Sequence, residues 1–306
     1  MLHFGIWPVW DVGNCGEGLQ SVSVAAPSVR RRRLASQLRQ LREHAGLTLE
    51  QVASRTDIAT STLSRIETAR IGAKPVNVRA LLAMYGVDGP DAEALVQLAR
   101  DARQRGWWQS FADVVSSRYA DYIGLESEAK VVRNYEPTII PGLLQTKEYY
   151  LERALQELGD WTADDRQRRA EVRITRQRRL VAEPSLIFHA IIEESTLRRP
   201  VGTSELMQRQ LQHLVDRASL PNVTLQVISE GVGVHPGLVG PFSILEFEDR
   251  VHQPDVGYAE FIGGQIFLDQ TDDVHRCSAL FSHLSNLALS EDESVGLISR
   301  LASTTL

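Results

Sequence analysis

The chain has 306 residues, 43% hydrophobic and 24% charged, with a net charge of −6. That is an ordinary globular composition, long enough for two domains. No apolar run approaches the roughly 18 residues of a bilayer-spanning helix, and Cys15 and Cys277 lack the spacing of a zinc site or a disulfide framework, which fits a reducing cytoplasm. The charge is uneven: residues 28–90 hold 11 Lys/Arg against 5 Asp/Glu, a net +6, while residues 1–27 carry −2 and the remainder −10. A basic module on an acidic body is the electrostatic footprint of a DNA-binding head.

Residues 1–29 mix Trp, Gly and Pro without helical or strand period and lack the pattern of a signal peptide. They read as a disordered tail, such as an upstream start codon would add. Arg30 to Arg33 form a basic arm, open to two readings: a solvated helix start, or a phosphate or minor-groove contact. Leu34, Leu38 and Leu41 then recur at helical spacing, and Gly46 ends that first helix. Thr48-Leu49-Glu50-Gln51 has the form of a capping box, so a second helix starts near Leu49, carries Val52 and Ala53 inward and ends around Thr56. After a short turn, a third runs from about Thr60, with Leu63 and Ile66 buried and Thr60, Ser61, Ser64 and Arg65 on its other face. Two short helices joined by a tight turn make a helix-turn-helix, whose second helix enters the major groove. Its competitor is an ordinary helical bundle. A fourth helix spans Lys74 to Gly86, with Val78, Leu81, Leu82 and Tyr85 on one side. A fifth runs from Pro90 to about Gln104, with Ala94, Leu95, Leu98 and Ala102 on one face. The head thus covers residues 30–105.

The segments Leu38 to Arg42, Ala45-Gly46-Leu47-Thr48, Val52-Ala53 and Thr62-Leu63-Ser64-Arg65-Ile66-Glu67 resemble the Xre-type, or phage-repressor-type, helix-turn-helix family. The resemblance implies a structural ion pair between Arg42 and Glu67, and base reading by Thr60, Ser61 and Arg65. With Thr48, Ser64 and Arg70 these form the expected DNA-binding set. Leu49 stands where a phosphate-contacting glutamine is common in that family, and Ala59 where a capping serine is common.

Residues 106–126 read as a connecting segment. Its aromatics Trp107, Trp108 and Phe111 suit packing of the two parts, or ligand stacking. Tyr119, Tyr122, Ile123 and Leu125 lead into a helix up to about Glu128 to Ala129. The body, 127–306, opens with a strand over Val131 to Ile140, a Pro141-Gly142 turn, and a helix from Thr146 carrying Tyr149, Tyr150 and Leu155. Thr162 starts a helix with seven arginines within fourteen residues, Arg166 to Arg179. Those point in several directions, as intramolecular salt bridges or a solvated face would require, with an anionic ligand or partner as the other reading. Strands follow over Ser185 to Ile192, Val223 to Ile228, Phe242 to Phe247, and Asp255 to Ile262 with Gln265 to Leu268 across a Gly263-Gly264 hairpin. Helices cover Thr203 to Ala218 and Asp272 to Leu289, and Ser290-Glu291-Asp292-Glu293 caps a last one. The expected fold is α+β overall: an all-α five-helix head, then an α+β body with a mainly antiparallel sheet.

Ile140-Pro141-Gly142-Leu143-Leu144-Gln145-Thr146, Arg176-Gln177, Glu194-x-x-Leu197-Arg198-Arg199, Gln210-Leu211, Pro221-Asn222-Val223 and Tyr258-x-Glu260 resemble the C-terminal domain of actinobacterial antitoxin-like regulators. The resemblance implies a sequence-specific transcriptional regulator, a cytoplasmic, nucleoid-associated homodimer on double-stranded DNA, whose body binds a small partner protein encoded nearby. The alternative is a ligand- or toxin-binding module that uses DNA binding only for autoregulation. An enzyme is not expected. Glu193, Glu194 and His235 could meet, but the sequence holds no metal-ligand pair at helical spacing, nucleophile elbow or phosphate loop, and no cofactor or metal is indicated. His189, in an apolar strand, reads as a core residue, and the Gly231 to Gly240 loop as a flexible lid in the ligand reading.

Overall fold

The computed structural model describes residues 29–102, 106–157, 159–248, 253–261 and 264–304. Residues 1–28, the end of the fifth helix near Gln104 and the Ile262-Gly263 part of the hairpin lie outside the described residues.

The head is five helices: α1 (Val29–His44), α2 (Leu49–Ala53), α3 (Thr60–Glu67), α4 (Pro75–Tyr85) and α5 (Gly89–Asp101). Gly46 and Gly86 take φ of +67° and +76°, which closes α1 and α4 where a side chain would be strained. Leu34, Leu38, Val52, Leu63, Ile66, Val78, Leu81 and Leu82 form its core. α5 turns Val96 and Ala99 inward with Leu95 and Leu98, while Ala94 and Ala102 are only half-buried. α2 ends at Ala53 rather than near Thr56, because the hydroxyls of Ser54 and Thr56 turn back to the carbonyls of Gln51 and Val52, each at 2.9 Å.

The body follows as α6 (Ser117–Glu128), β1 (Val131–Glu136), α7 (Lys147–Ala154), α8 (Ala163–Gln177), β2 (Ile187–Glu193), α9 (Glu194–Arg198), α10 (Ser204–Ala218), β3 (Val223–Ile228), β4 (Phe242–Glu246), β5 (Val256–Phe261), β6 (Gly264–Leu268), α11 (Thr271–Leu287) and α12 (Glu291–Ser303). The strand order is β3-β2-β1-β4-β5-β6. The sheet is mixed rather than mainly antiparallel: β1, β2 and β3 run parallel, and β4, β5 and β6 continue antiparallel. The cause is the connections. Two helices intervene between β1 and β2, and two more between β2 and β3, and each helical crossover carries the chain back to the end of the sheet where the previous strand began.

One sheet face packs Val132, Phe188, Ala190, Leu225, Leu245 and Val256 against Leu211 and Leu214 of α10 and Ile298 of α12. The other packs Tyr135, Ile191, Ile228 and Ile244 against Val274, Phe281 and Leu284 of α11. The capping boxes at Thr162/Asp165 and Ser290/Glu293 start α8 and α12. Most of the α8 arginines are spent inside the body: Arg169 meets Glu157 at 2.6 Å, Arg176 meets Glu126 at 2.5 Å, and Arg168 meets Asp113. Trp108 and Phe111 pack on Val114, Val115, Ile123 and Val172. Trp108 lies beside Gly124, the residue whose carbonyl accepts a hydrogen bond from Arg30.

Val29, assigned to the tail by sequence, opens α1 and is 1% exposed in the body core. Next to it the arginine arm is not a solvated helix start, because three of its arginines meet the body. Arg30 donates to Gly124 O at 2.9 Å and pairs with Glu128, Arg32 pairs with Asp269 at 3.0 Å, and Arg33 donates to Pro254 O at 2.6 Å. The arm fastens the head to the body, where acidic side chains and free carbonyls are the nearest acceptors.

Candidate nucleic-acid interface

The helix pair is held from below. Arg42 near the end of α1 makes a two-pronged ion pair with Glu67, the last residue of α3, at 2.8 and 2.9 Å, and a third bond to Leu47 O at 2.8 Å. The hydrogen bond to Glu67 holds the Arg42 guanidinium above its ordinary pKa, against burial. A planar guanidinium facing a carboxylate is directional, so this pair fixes the pitch of α3 on α1.

Leu63 and Ile66 are 1% and 2% exposed, which turns the rest of α3 outward. Ser61 and Arg65 are exposed, and Thr60 and Ser64 half-buried. Arg65 Nε donates to Ser61 O at 3.2 Å, so the guanidinium lies along α3 with its remaining donors toward solvent. α3 starts at Thr60 as expected, but Ala59 offers no side-chain cap. Its leading amides therefore have no side-chain acceptor, at the end where the helix dipole is positive. A DNA phosphate would supply that acceptor.

Thr48 caps α2: its hydroxyl accepts from Gln51 N at 3.2 Å, and its own N–H donates to Gln51 Oε1 at 2.9 Å. Arg70 is exposed just beyond α3, where Ala69 takes φ +55° and the amides of Arg70 and Ile71 both donate to Arg65 O. Of the six expected DNA-binding residues, four thus lie on α3, Arg70 just past it and Thr48 at the start of α2. Two others went unnoticed in the sequence. Arg55, between α2 and α3, and Lys74, before α4, are exposed and meet no carboxylate among the described residues. Their signal was present, as basic residues in the turns around the helix pair. Without the four arm arginines, residues 28–90 hold 7 Lys/Arg against 5 Asp/Glu, so positive charge on the DNA side rests on a few residues near α3.

The acid and histidine of the enzyme reading do meet. His235 Nε2 lies 3.1 Å from Glu193 Oε1, which also accepts the Tyr135 hydroxyl at 2.7 Å. All three are buried, and Gly237 sits so close that a Cβ there would come within 2.8 Å of the Tyr135 ring. The cluster pins the loop of residues 231–240 to the sheet. Glu194 turns away to Arg198, at 2.6 Å, and to the amide of Glu230. His189 bonds Gln226 at 2.7 Å and packs on Phe281. Among the described residues no group of three His, Cys, Asp or Glu is placed to hold a metal, and no helix is long and apolar enough to cross a membrane.

Residues 33–95 match the family described as a helix-turn-helix domain, and residues 119–300 match the Domain of unknown function (DUF5753). No curated protein and no solved structure matches the chain. The first match agrees with the geometry of α1 to α5 and makes the chain a DNA-binding regulator. Because the second takes in more than half of the 306 residues, the chain belongs to the DUF5753 family, with a helix-turn-helix domain ahead of that family's domain.

Proposed function

We propose that the chain is an Xre-type, sequence-specific transcriptional regulator that acts as a homodimer in the cytoplasm and whose body binds a small partner protein, in the manner of antitoxin-like regulators. The observation that carries the DNA-reading part is α3, with an apolar pair fixed inward, an exposed Ser61 and Arg65, and an uncapped amino end. Two such helices in one dimer would lie in successive major grooves about 34 Å apart and select a palindrome-like operator. The acidic body supports a regulatory role, since it repels DNA and leaves reading to the head. It is a binding protein in this reading, not an enzyme: Glu193 and His235 are buried and committed to holding a loop.

Fluorescence anisotropy on operator fragments tests the reading. Arg65→Ala should weaken operator binding by about 1–3 kcal/mol, roughly 5- to 150-fold, and relax base preference at one position. Unchanged affinity would remove Arg65 from the interface. Co-purification of the full chain from its native host, followed by mass spectrometry, tests the partner, and recovery of the chain alone would count against it.

A further inference from the structure

Strand alternation places Val132, Asn134 and Glu136 of β1 on one sheet face, with Ser243 and Leu245 of β4 and Val256, Tyr258 and Glu260 of β5. Register sets Asn134 opposite Ser243, and Ser243 opposite Tyr258. Val132, Leu245 and Val256 belong to the main core, yet the same face turns polar over its next two rows, at the carboxyl end of β1. β1 is also where the sheet changes direction: the chain leaves it for β2 on one side, and β4 is laid down on the other. Open sheets form a crevice at such a switch point. A cavity of about 90 Å³ lies there, adjoining one of about 250 Å³ with which it shares Tyr119, Ile139, Arg173 and Glu260.

The lining has unmatched acceptors. Gln145 is 2% exposed and gives its Nε2 to Ile140 O at 2.6 Å, which fixes the amide and leaves Oε1 without a partner. Asn134, 8% exposed, gives Nδ2 to Ser243 Oγ at 2.9 Å and likewise leaves Oδ1 unpaired. Burial, and then the charge of Glu260, pushes the Glu136 carboxyl up to about 8. Arg173, also on the lining, lies 3.8 Å over the Tyr150 ring and makes no ion pair among the described residues, and burial lowers its pKa. Its neighbour Arg176 is neutralised by Glu126. A buried acceptor left alone is costly, so a space lined by two of them and by a guanidinium without a carboxylate partner favours an occupant that brings both a donor and an anion.

The walls are also preorganised. Gln177 Nε2 donates to Gly142 O and Gln145 O at 3.1 and 2.7 Å, and Gln210 ties Leu144 O to Thr146 N at 2.8 and 2.6 Å. Three of the sequence segments singled out in the body, Ile140 to Thr146, Arg176-Gln177 and Tyr258-x-Glu260, meet around this space. We infer that it is a small-molecule site for an amino carboxylate, whose ammonium is held by Glu136, Glu260, Asn134 and Gln145 and whose carboxylate is held by Arg173.

The test uses the full chain, titrated with each of the twenty L-α-amino acids and with ethylamine and propionate as half-ligands, read by calorimetry and thermal denaturation. At least one amino acid should raise the melting temperature by about 5 °C at about a hundred times its Kd, and neither half-ligand should match it. Arg173→Met and, as an isosteric second variant, Glu260→Gln should each weaken that binding at least tenfold, with each variant's own melting curve reporting its fold. If no amino acid binds, the space holds only water and the inference is overturned. Ethylamine binding as well as the best amino acid would overturn the role of Arg173, and unchanged affinity in a folded variant would put the site elsewhere. None of these outcomes bears on operator binding by the head.

Discussion

Asp121 on α6 faces the charges of Arg30, Arg31 and Arg32, yet burial outweighs all three and pushes its carboxyl up to about 6. A carboxyl with a folded pKa above its unfolded value of 3.8 holds its proton more tightly in the native state. Stability from this residue is therefore complete below about pH 4 and falls as pH rises through about 6. Asp121→Asn, which cannot ionise, should raise the melting temperature of the full chain by about 3 °C at pH 7.5, and by less than half as much at pH 4.5. Equal gains at both values would show that the buried charge is not the cause. The partners that the arm arginines meet inside the chain, Glu128 on α6 and Asp269 just past β6, lie far off in sequence.

Among elements, α1 and α3 are joined by Arg42 and Glu67, whose side chains are 12% and 7% exposed. Glu67→Ala leaves that guanidinium half-sealed without its carboxylate and should destabilise the head by about 3 kcal/mol in denaturant titration. Base preference in a binding selection should not change. Altered preference at unaltered stability would instead place Glu67 at a base edge. This staple was legible from sequence, as were Gly46, the Thr48 box and the Leu63/Ile66 pair, because each depends on residues a few positions apart or on a known helical motif. The body was legible in its element types but not in its sheet. Whether β2 lies parallel to β1 is decided by the crossovers, and a strand's own alternation is silent on that. The polar row at the end of β1 was harder still. Asn134, Ser243 and Tyr258 are neighbours only through register, and the one local hint is the Val-x-Asn-x-Glu alternation of residues 132–136.

Taken whole, the head core and the main body core share one helix. Val29 is buried in the body, while Leu34 and Leu38, about one and a half and two and a half turns on, are buried in the head. The seam is held by Arg30, Arg32 and Arg33, so Arg30→Ala should loosen it and split one calorimetric unfolding transition into two. A single unsplit endotherm in that variant would show that the two cores stay coupled without it. The shared helix also sets the geometry of any response. With 16 residues, α1 is about 24 Å long. Pivoted at its buried root, a tilt of about 5° sweeps its far end through roughly 2 Å, an appreciable fraction of the 3.4 Å rise between base pairs. An event deep in the sheet layers therefore needs only a small angular displacement to throw a recognition helix out of phase with its groove, and in a dimer the errors of the two halves add.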